Sequence, residues 1–178
     1  MSRLKIPVGK RDHVQGRPDA PISLLEYGDY ECSYCGQAYG EVKRIQAQLG
    51  EDLQFAFRNF PLAQVHPYAL HAALAAEAAA LQGRFWEMHD ILYEHQEALE
   101  DEDLAGYAEA LDLDVQRFTH DMQSDAIAER VSEDLMSGVR SGVNGTPTFF
   151  INGERHDGPF DYRSLLAAIE RKSVHSTR

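Results

Sequence analysis

The sequence predicts an α/β protein: a mixed sheet flanked by helices and interrupted by a long helical insertion. Three observations carry this reading. Short apolar runs rich in strand formers lie near both ends of the chain, at 22–28, 53–59 and 146–151. Helix formers fill 66–141 with almost no β-branched runs. Asn152-Gly153 then marks a tight hairpin, because both residues tolerate the positive φ that a two-residue turn needs. The order is β-α-β, a helical block, then β-β-α.

Residues 1–20 read as an N-terminal arm. Ile6-Pro7-Val8 is placed on a sheet edge, His13 in solvent, and Gly16 to Pro21 in a turn. Ile22-Ser23-Leu24-Leu25 begins a buried strand that reaches Gly28. Tyr39, Val42, Ile45, Gln46 and Leu49 recur at helical spacing and predict a helix over 33–49, stopped by Gly50. The next strand, 53–59, places Leu53, Phe55 and Phe57 on one face. A strand, helix and strand in this order is a right-handed crossover, so the two strands are predicted to be parallel.

Pro61 and Pro67 end that pattern. Four helical pieces follow, at about 67–81, 84–97 and 102–111, and then a short turn at about 114–121 leading into a long helix at about 124–141. The first is Ala-rich, which suits close helix packing. The second presents Phe85, Trp86, Met88, Ile91, Leu92 and Tyr93 as an apolar face, and Asp101 is placed as the cap of the third. After the hairpin, Asp161 is placed as the cap of a terminal helix with Leu165, Leu166 and Ile169 inward. The predicted division is an arm at 1–20, a core of 21–62 and 142–172, a helical insertion at 63–141 and a frayed tail at 173–178.

A chain of 178 residues, 43% hydrophobic and 26% charged, is long enough for one domain with a sizeable insertion. Its formal net charge of −12, with no Lys/Arg cluster, argues against nucleic acid or an anionic membrane as partner. No run approaches the ~18 apolar residues of a membrane span; His71 and Glu77 interrupt the longest candidate, 69–81. Residues 1–9 hold no apolar stretch of signal-peptide length, so the expectation is a cytoplasmic protein without membrane insertion, with an exported mature form left open.

The chemistry concentrates in Cys32-Ser33-Tyr34-Cys35, which holds both cysteines of the chain at a strand-to-helix junction. A helix N-terminus offers partial positive charge and N–H groups that favour a thiolate over a thiol. Two intervening residues let the sulfurs meet across the first helical turn. A structural zinc site would need two further ligands, and no third cysteine exists. His66/His71 and His89/His95 miss the i, i+4 spacing of a helical site, so no metal is expected. In a reducing compartment such a pair points to redox chemistry rather than to a staple. Tyr30 and Tyr34, beside the cysteines, are candidates for a substrate-contacting surface.

The element order and four motifs together resemble the DsbA-like branch of the thioredoxin fold, over about residues 20–171. The motifs are Cys32-Ser33-Tyr34-Cys35; Gly145-Thr146-Pro147-Thr148 directly before the third core strand; Arg58-Asn59-Phe60-Pro61-Leu62 followed by His66; and Gly83 to His89. The resemblance implies a thiol–disulfide oxidoreductase in which Cys32 attacks and Cys35 resolves. It implies that Pro147 is cis, with Thr146 against the disulfide and Ser33, Tyr34, Thr146 and Pro147 facing substrate. Glu26, on the strand six positions before Cys32, corresponds to the fold's buried acid, a proton acceptor for the resolving thiol. The implied partners are protein or peptide thiols and disulfides and an unidentified redox partner, with no cofactor beyond the cysteine pair.

One departure stands out. Ser33-Tyr34 contains neither the Pro nor the His familiar in the family, and Asp29 and Glu31 add negative charge beside Cys32. Because Ser33-Tyr34 offers no cation, Cys32 is expected to be acidified less than in strongly oxidising relatives, and the pair to be a weaker oxidant compatible with a reductase or isomerase role. Two alternatives remain: a glutathione-dependent transferase or isomerase on the same fold, and a metal-binding or chaperone module held by the two thiolates.

Overall fold

Alternating apolar runs in this chain find partners on a five-stranded sheet. The computed structural model describes residues 2–175. Strands β1 (His13–Gln15), β2 (Ile22–Gly28), β3 (Leu53–Asn59), β4 (Thr148–Ile151) and β5 (Glu154–His156) lie in the order β1-β3-β2-β4-β5. β1 pairs antiparallel with β3, placing His13 opposite Phe57, and β4 pairs antiparallel with both β2 and β5. Helix α1 (Ser33–Leu49) links β2 to its neighbour β3, the crossover that makes the sheet mixed. The fold is thioredoxin-like.

Packing divides the chain into two units. The first comprises residues 1–28, 37–58 and 137–178; the second comprises 29–36 and 59–136. In the sheet unit, Leu24, Ile45, Phe55, Phe57 and Phe150 are fully buried. At the hairpin, Asn152 (φ 49°) and Gly153 (φ 79°) both adopt the left-handed conformation, which twists the turn in the sense of its strands. Asp161 Oδ1 accepts the Ser164 N–H (3.1 Å) and opens α7 (Tyr162–His175). The helix therefore runs through 173–175, where a frayed tail was expected; 176–178 lie outside the described residues.

The N-terminal arm departs from the sequence reading. Pro7 has no N–H to give a ladder, and Ile6 and Pro7 instead turn their carbonyls to Arg58. Edge pairing falls on either side of them. Leu4 N–H donates to Gly153 O and Arg155 N–H to Ser2 O, while His13–Gln15 forms β1, so His13 is half-buried rather than exposed.

The second unit contains α2 (Ala69–Ala80), α3 (Phe85–Glu94), α4 (Asp101–Ala110), α5 (Val115–Met122) and α6 (Asp125–Arg140) as far as Met136. Seven alanines of α2 are buried, and their small side chains let α3 and α5 pack close against it. The cap of α4 is Glu100, whose N–H donates to Asp103 Oδ2 (3.0 Å). Asp101, the predicted cap, meets His71 Nδ1 instead (2.6 Å). Segment 29–36, which the sequence assigns to the core, packs with the helices because its polar groups are bound there, as follows.

Candidate active site

The site begins with the turn that delivers the chain into α1. Cys32 N–H donates to Asp29 O (3.1 Å), and Gly36 N–H donates back to Cys32 O (3.1 Å), so Cys32 sits immediately ahead of the helix. The two cysteines are not assigned to a disulfide. Cys32 keeps 5% of its surface exposed and Cys35 none. Asp29 N–H points at Cys35 Sγ (3.5 Å). A thiolate there gains a backbone donor while solvent is kept away, which suits the shielded member of the pair.

The loop is clamped from the helical segments. Gln96 Nε2 donates to Tyr30 O (2.8 Å) and to Cys32 O (2.9 Å). Gly36 makes room for this contact, since a Cβ there would lie 2.1 Å from Gln96 Oε1. Tyr30 is buried: its hydroxyl meets His89 Nδ1 at 2.9 Å, and its ring packs on Tyr93. Tyr30 is therefore scaffold and not a substrate contact. His89 lies edge-on to Trp86 at 5.0 Å. Tyr34, in contrast, is 61% exposed beside the cysteines, and Val65 and Tyr68 add exposed apolar surface to the same unit.

The acidic flank behaves differently from expectation. The Asp29 carboxylate is buried; Oδ1 accepts the Glu31 N–H (2.8 Å), and Oδ2 accepts the Leu62 N–H (2.9 Å) and the His66 ring at Nδ1 (2.8 Å). Glu31 Oε2 accepts the Tyr68 N–H (2.7 Å). His66 is thus in the electrostatic field of Cys32. Burial pulls its pKa down, but the Asp29 hydrogen bond and the charges of Asp29, Cys32 and Glu31 together hold it above the ordinary histidine value. Ser33-Tyr34 supplies no cation, as the sequence shows; an ionisable imidazole comes instead from the turn after β3, 34 positions along the chain from Cys32. The His66 in the Arg58–His66 motif was visible in the sequence, but nothing local tied it to Asp29.

Of the remaining predicted residues, Glu26, Thr146 and Pro147 belong to the sheet unit and Ser33 to the helical one. Glu26 lies on β2 opposite Phe149 and is buried. The Thr146–Pro147 peptide is cis, and Thr148 Oγ1 donates to Gly145 O (2.7 Å) across that loop. Ser33 opens α1. Among the described residues, no group of three or more His, Cys, Asp or Glu side chains is placed to hold a metal ion.

A Cys-x-x-Cys at the head of the first helix, on a thioredoxin-like sheet carrying a helical insertion, defines the class of DsbA-like folds. A family model described as thioredoxin matches residues 9–171. The chain belongs to that family. Among solved structures, oxidised BdbD from Bacillus subtilis superposes with a TM-score of 0.84 at 23% identity, covering 97% of this chain and 98% of that one. Alpha-DsbA1 from Wolbachia pipientis gives 0.80 at 20% identity, with 98% of each chain covered. A thioredoxin-like oxidoreductase from Silicibacter pomeroyi gives 0.81 at 24%, covering 92% and 93%. Closer in sequence are proteins named as Na(+)/H(+) antiporters NhaA. One from Mycolicibacterium gilvum is 48% identical over 163 residues, covering 90% of this chain and 26% of the relative. One from Salinispora arenicola is 48% identical over 167 residues, covering 93% and 26%. The chain spans about a quarter of the length of these curated relatives. Among the described residues, no helix is long and apolar enough to cross a membrane.

Proposed function

We propose that the chain is a thiol–disulfide oxidoreductase acting on protein or peptide substrates. The observation that carries the proposal is the asymmetry of the pair. Cys32, buried but with 5% of its surface exposed, lies just ahead of a helix, and Cys35 is fully sealed with a backbone N–H directed at its sulfur. In the reducing direction, Cys32 thiolate attacks one sulfur of a substrate disulfide, breaking that bond and releasing a substrate thiolate that takes up a proton. Cys35, deprotonated, then attacks Cys32 Sγ of the mixed disulfide. The second substrate thiol leaves, and the electron pair of the dithiol has passed to the substrate, leaving Cys32–Cys35 as a disulfide. The oxidising direction is the reverse.

The electrons reside on the cysteines, so no dissociable cofactor is required. Glu26 is the proposed acceptor for the Cys35 proton, and Thr146, Pro147, Ser33 and Tyr34 are the proposed contacts for the substrate backbone and side chains. These roles follow the family resemblance. The cation transport named for the curated relatives is not proposed for residues 9–171.

The test is redox equilibration of the Cys32–Cys35 pair against glutathione, read by mass spectrometry after thiol trapping. A reversible two-electron couple is expected. Cys32→Ser should abolish exchange, and Cys35→Ser should accumulate the mixed disulfide. A pair that forms no reversible disulfide would remove the proposal. Full turnover by Cys35→Ser would favour a single-nucleophile glutathione transferase instead.

A further inference from the structure

Asp29 touches both cysteines through its main chain and an imidazole through its side chain. Its N–H approaches Cys35 Sγ (3.5 Å), its carbonyl accepts the Cys32 N–H (3.1 Å), and its carboxylate binds His66 Nδ1 (2.8 Å). The same carboxylate already accepts two backbone N–H groups, from Glu31 and Leu62, and these alone would close the turn. The imidazole is therefore an addition to a carboxylate whose structural work is done. An oxygen that accepts from an N–H and meets a ring nitrogen requires that nitrogen to carry the proton, so His66 donates from Nδ1. Nε2 becomes the position that gains and loses a proton. The side chain is 26% exposed, enough for solvent to supply that proton, whereas Asp29 is wholly buried.

Resting on the oxidoreductase reading above, we propose that His66, oriented by Asp29, is the cationic partner of the Cys32 thiolate, with Asp29 as its positioning residue. The titratable groups facing His66 are Asp29 and Glu31, from the segment ahead of α1, and Cys32 itself. Glu31 is engaged by the Tyr68 N–H. All three favour the imidazolium when ionised. The Cys32 interaction is reciprocal: the free energy by which the thiolate favours protonated His66 is the free energy by which protonated His66 favours the thiolate. His66 thus occupies the role that Ser33-Tyr34 leaves empty, from outside the motif. It also links redox state to proton binding. When Cys32 enters a disulfide its negative charge is lost, and His66 then holds its proton less tightly.

The experiment isolates Cys32 in a Cys35→Ser background. The midpoint of thiolate formation is read from absorbance near 240 nm and from the rate of iodoacetamide alkylation against pH. His66→Gln keeps an N–H for Asp29 and removes the charge. Its Cys32 midpoint is expected to rise by roughly one pH unit, with about a tenfold slower alkylation below that midpoint. An unchanged midpoint overturns the proposal. Should His66→Gln not fold, the same coupling is measured with His66 intact, by NMR titration of its ring in Cys35→Ser and in the Cys32→Ser, Cys35→Ser pair. Removing the thiol is expected to lower the His66 midpoint by the same amount, and equal midpoints overturn the proposal. The two readings fail separately. A wild-type pair without a reversible disulfide removes the oxidoreductase reading, whereas normal wild-type exchange with an unmoved Cys32 midpoint in His66→Gln removes only this one.

Discussion

Arg58 in the sheet unit and Asp29 in the helical unit are both buried charges, and they are satisfied in opposite ways. All five N–H donors of the Arg58 guanidinium have fixed acceptors. Asp12 takes two (2.7 and 3.0 Å), and Ile6 O, Pro7 O and the Tyr27 hydroxyl take one each. Burial alone would lower its pKa, but Asp12 and Tyr27 hold it well above the ordinary arginine value, so it never titrates. Asp29 has two fixed donors and one, the His66 imidazole, that can gain or lose a charge. A saturated site with no titrating member can only hold the fold together. A site with one adjustable partner can also respond, and it is this one that lies against the cysteines.

The largest expected effect comes from breaking the saturated site. Arg58→Met leaves the Asp12 carboxylate, 7% exposed, without its cation, and should destabilise the chain by about 3–5 kcal/mol in urea unfolding. Disulfide exchange per folded molecule should be unchanged. Adding Asp12→Leu should recover most of the loss, since the desolvated anion goes with it. If Arg58→Met altered exchange in the folded fraction, the separation between structural and responsive sites would fail.

A middle-sized effect probes the clamp on the cysteine loop. Gln96→Ala removes the donors to Tyr30 O and Cys32 O, at a cost of roughly 1–2 kcal/mol. Gly36→Ala should cost a similar amount by the same route, because its Cβ meets Gln96 Oε1 at 2.1 Å and the flexible amide must swing out of place. The double variant should then be little worse than either single one, a coupling that a double-mutant cycle reads directly. Additive losses would show that the two residues act separately.

The elements themselves were legible because their signals are local. The 22–28 and 53–59 strands and the 33–49 helix follow from periodicity and from Gly50, whose φ of +51° ends the helix. Cys32-x-x-Cys35 was legible for the same reason, since spacing and helix position are properties of the segment. Partners across the chain were not. That Arg58 gathers Ile6, Pro7 and Asp12, or that Asp29 meets His66, depends on which loops the fold brings together. Counting charges near Cys32 along the sequence therefore found Asp29 and Glu31 and missed the His66 imidazole. Tyr30 was misread likewise: a tyrosine beside a cysteine looks like surface until His89 and Tyr93 close over it.

The smallest expected effect is the most diagnostic of the Asp29–His66 pair. In the folded chain His66 titrates above its ordinary value near 6.5, so the folded state binds that proton more tightly than the unfolded state does. The stability this adds is fully present below about pH 6.5 and is lost as pH rises through the folded value. The ring is partly exposed, so the gain is screened to less than about 1 kcal/mol, and it should shrink further in high salt. Measured as the difference in urea midpoint between the reduced wild-type chain and His66→Gln, it should fall as the pH rises from about 6.5 through the folded value. The Arg58→Met, Asp12→Leu double variant, which leaves no buried carboxylate to titrate there, should give a difference that is flat over that window. Oxidation of Cys32 removes one of the three charges that raise His66, so the slope for the disulfide form should be the shallower of the two. Equal slopes in both redox states would leave Asp29–His66 as a surface-linked brace and nothing more.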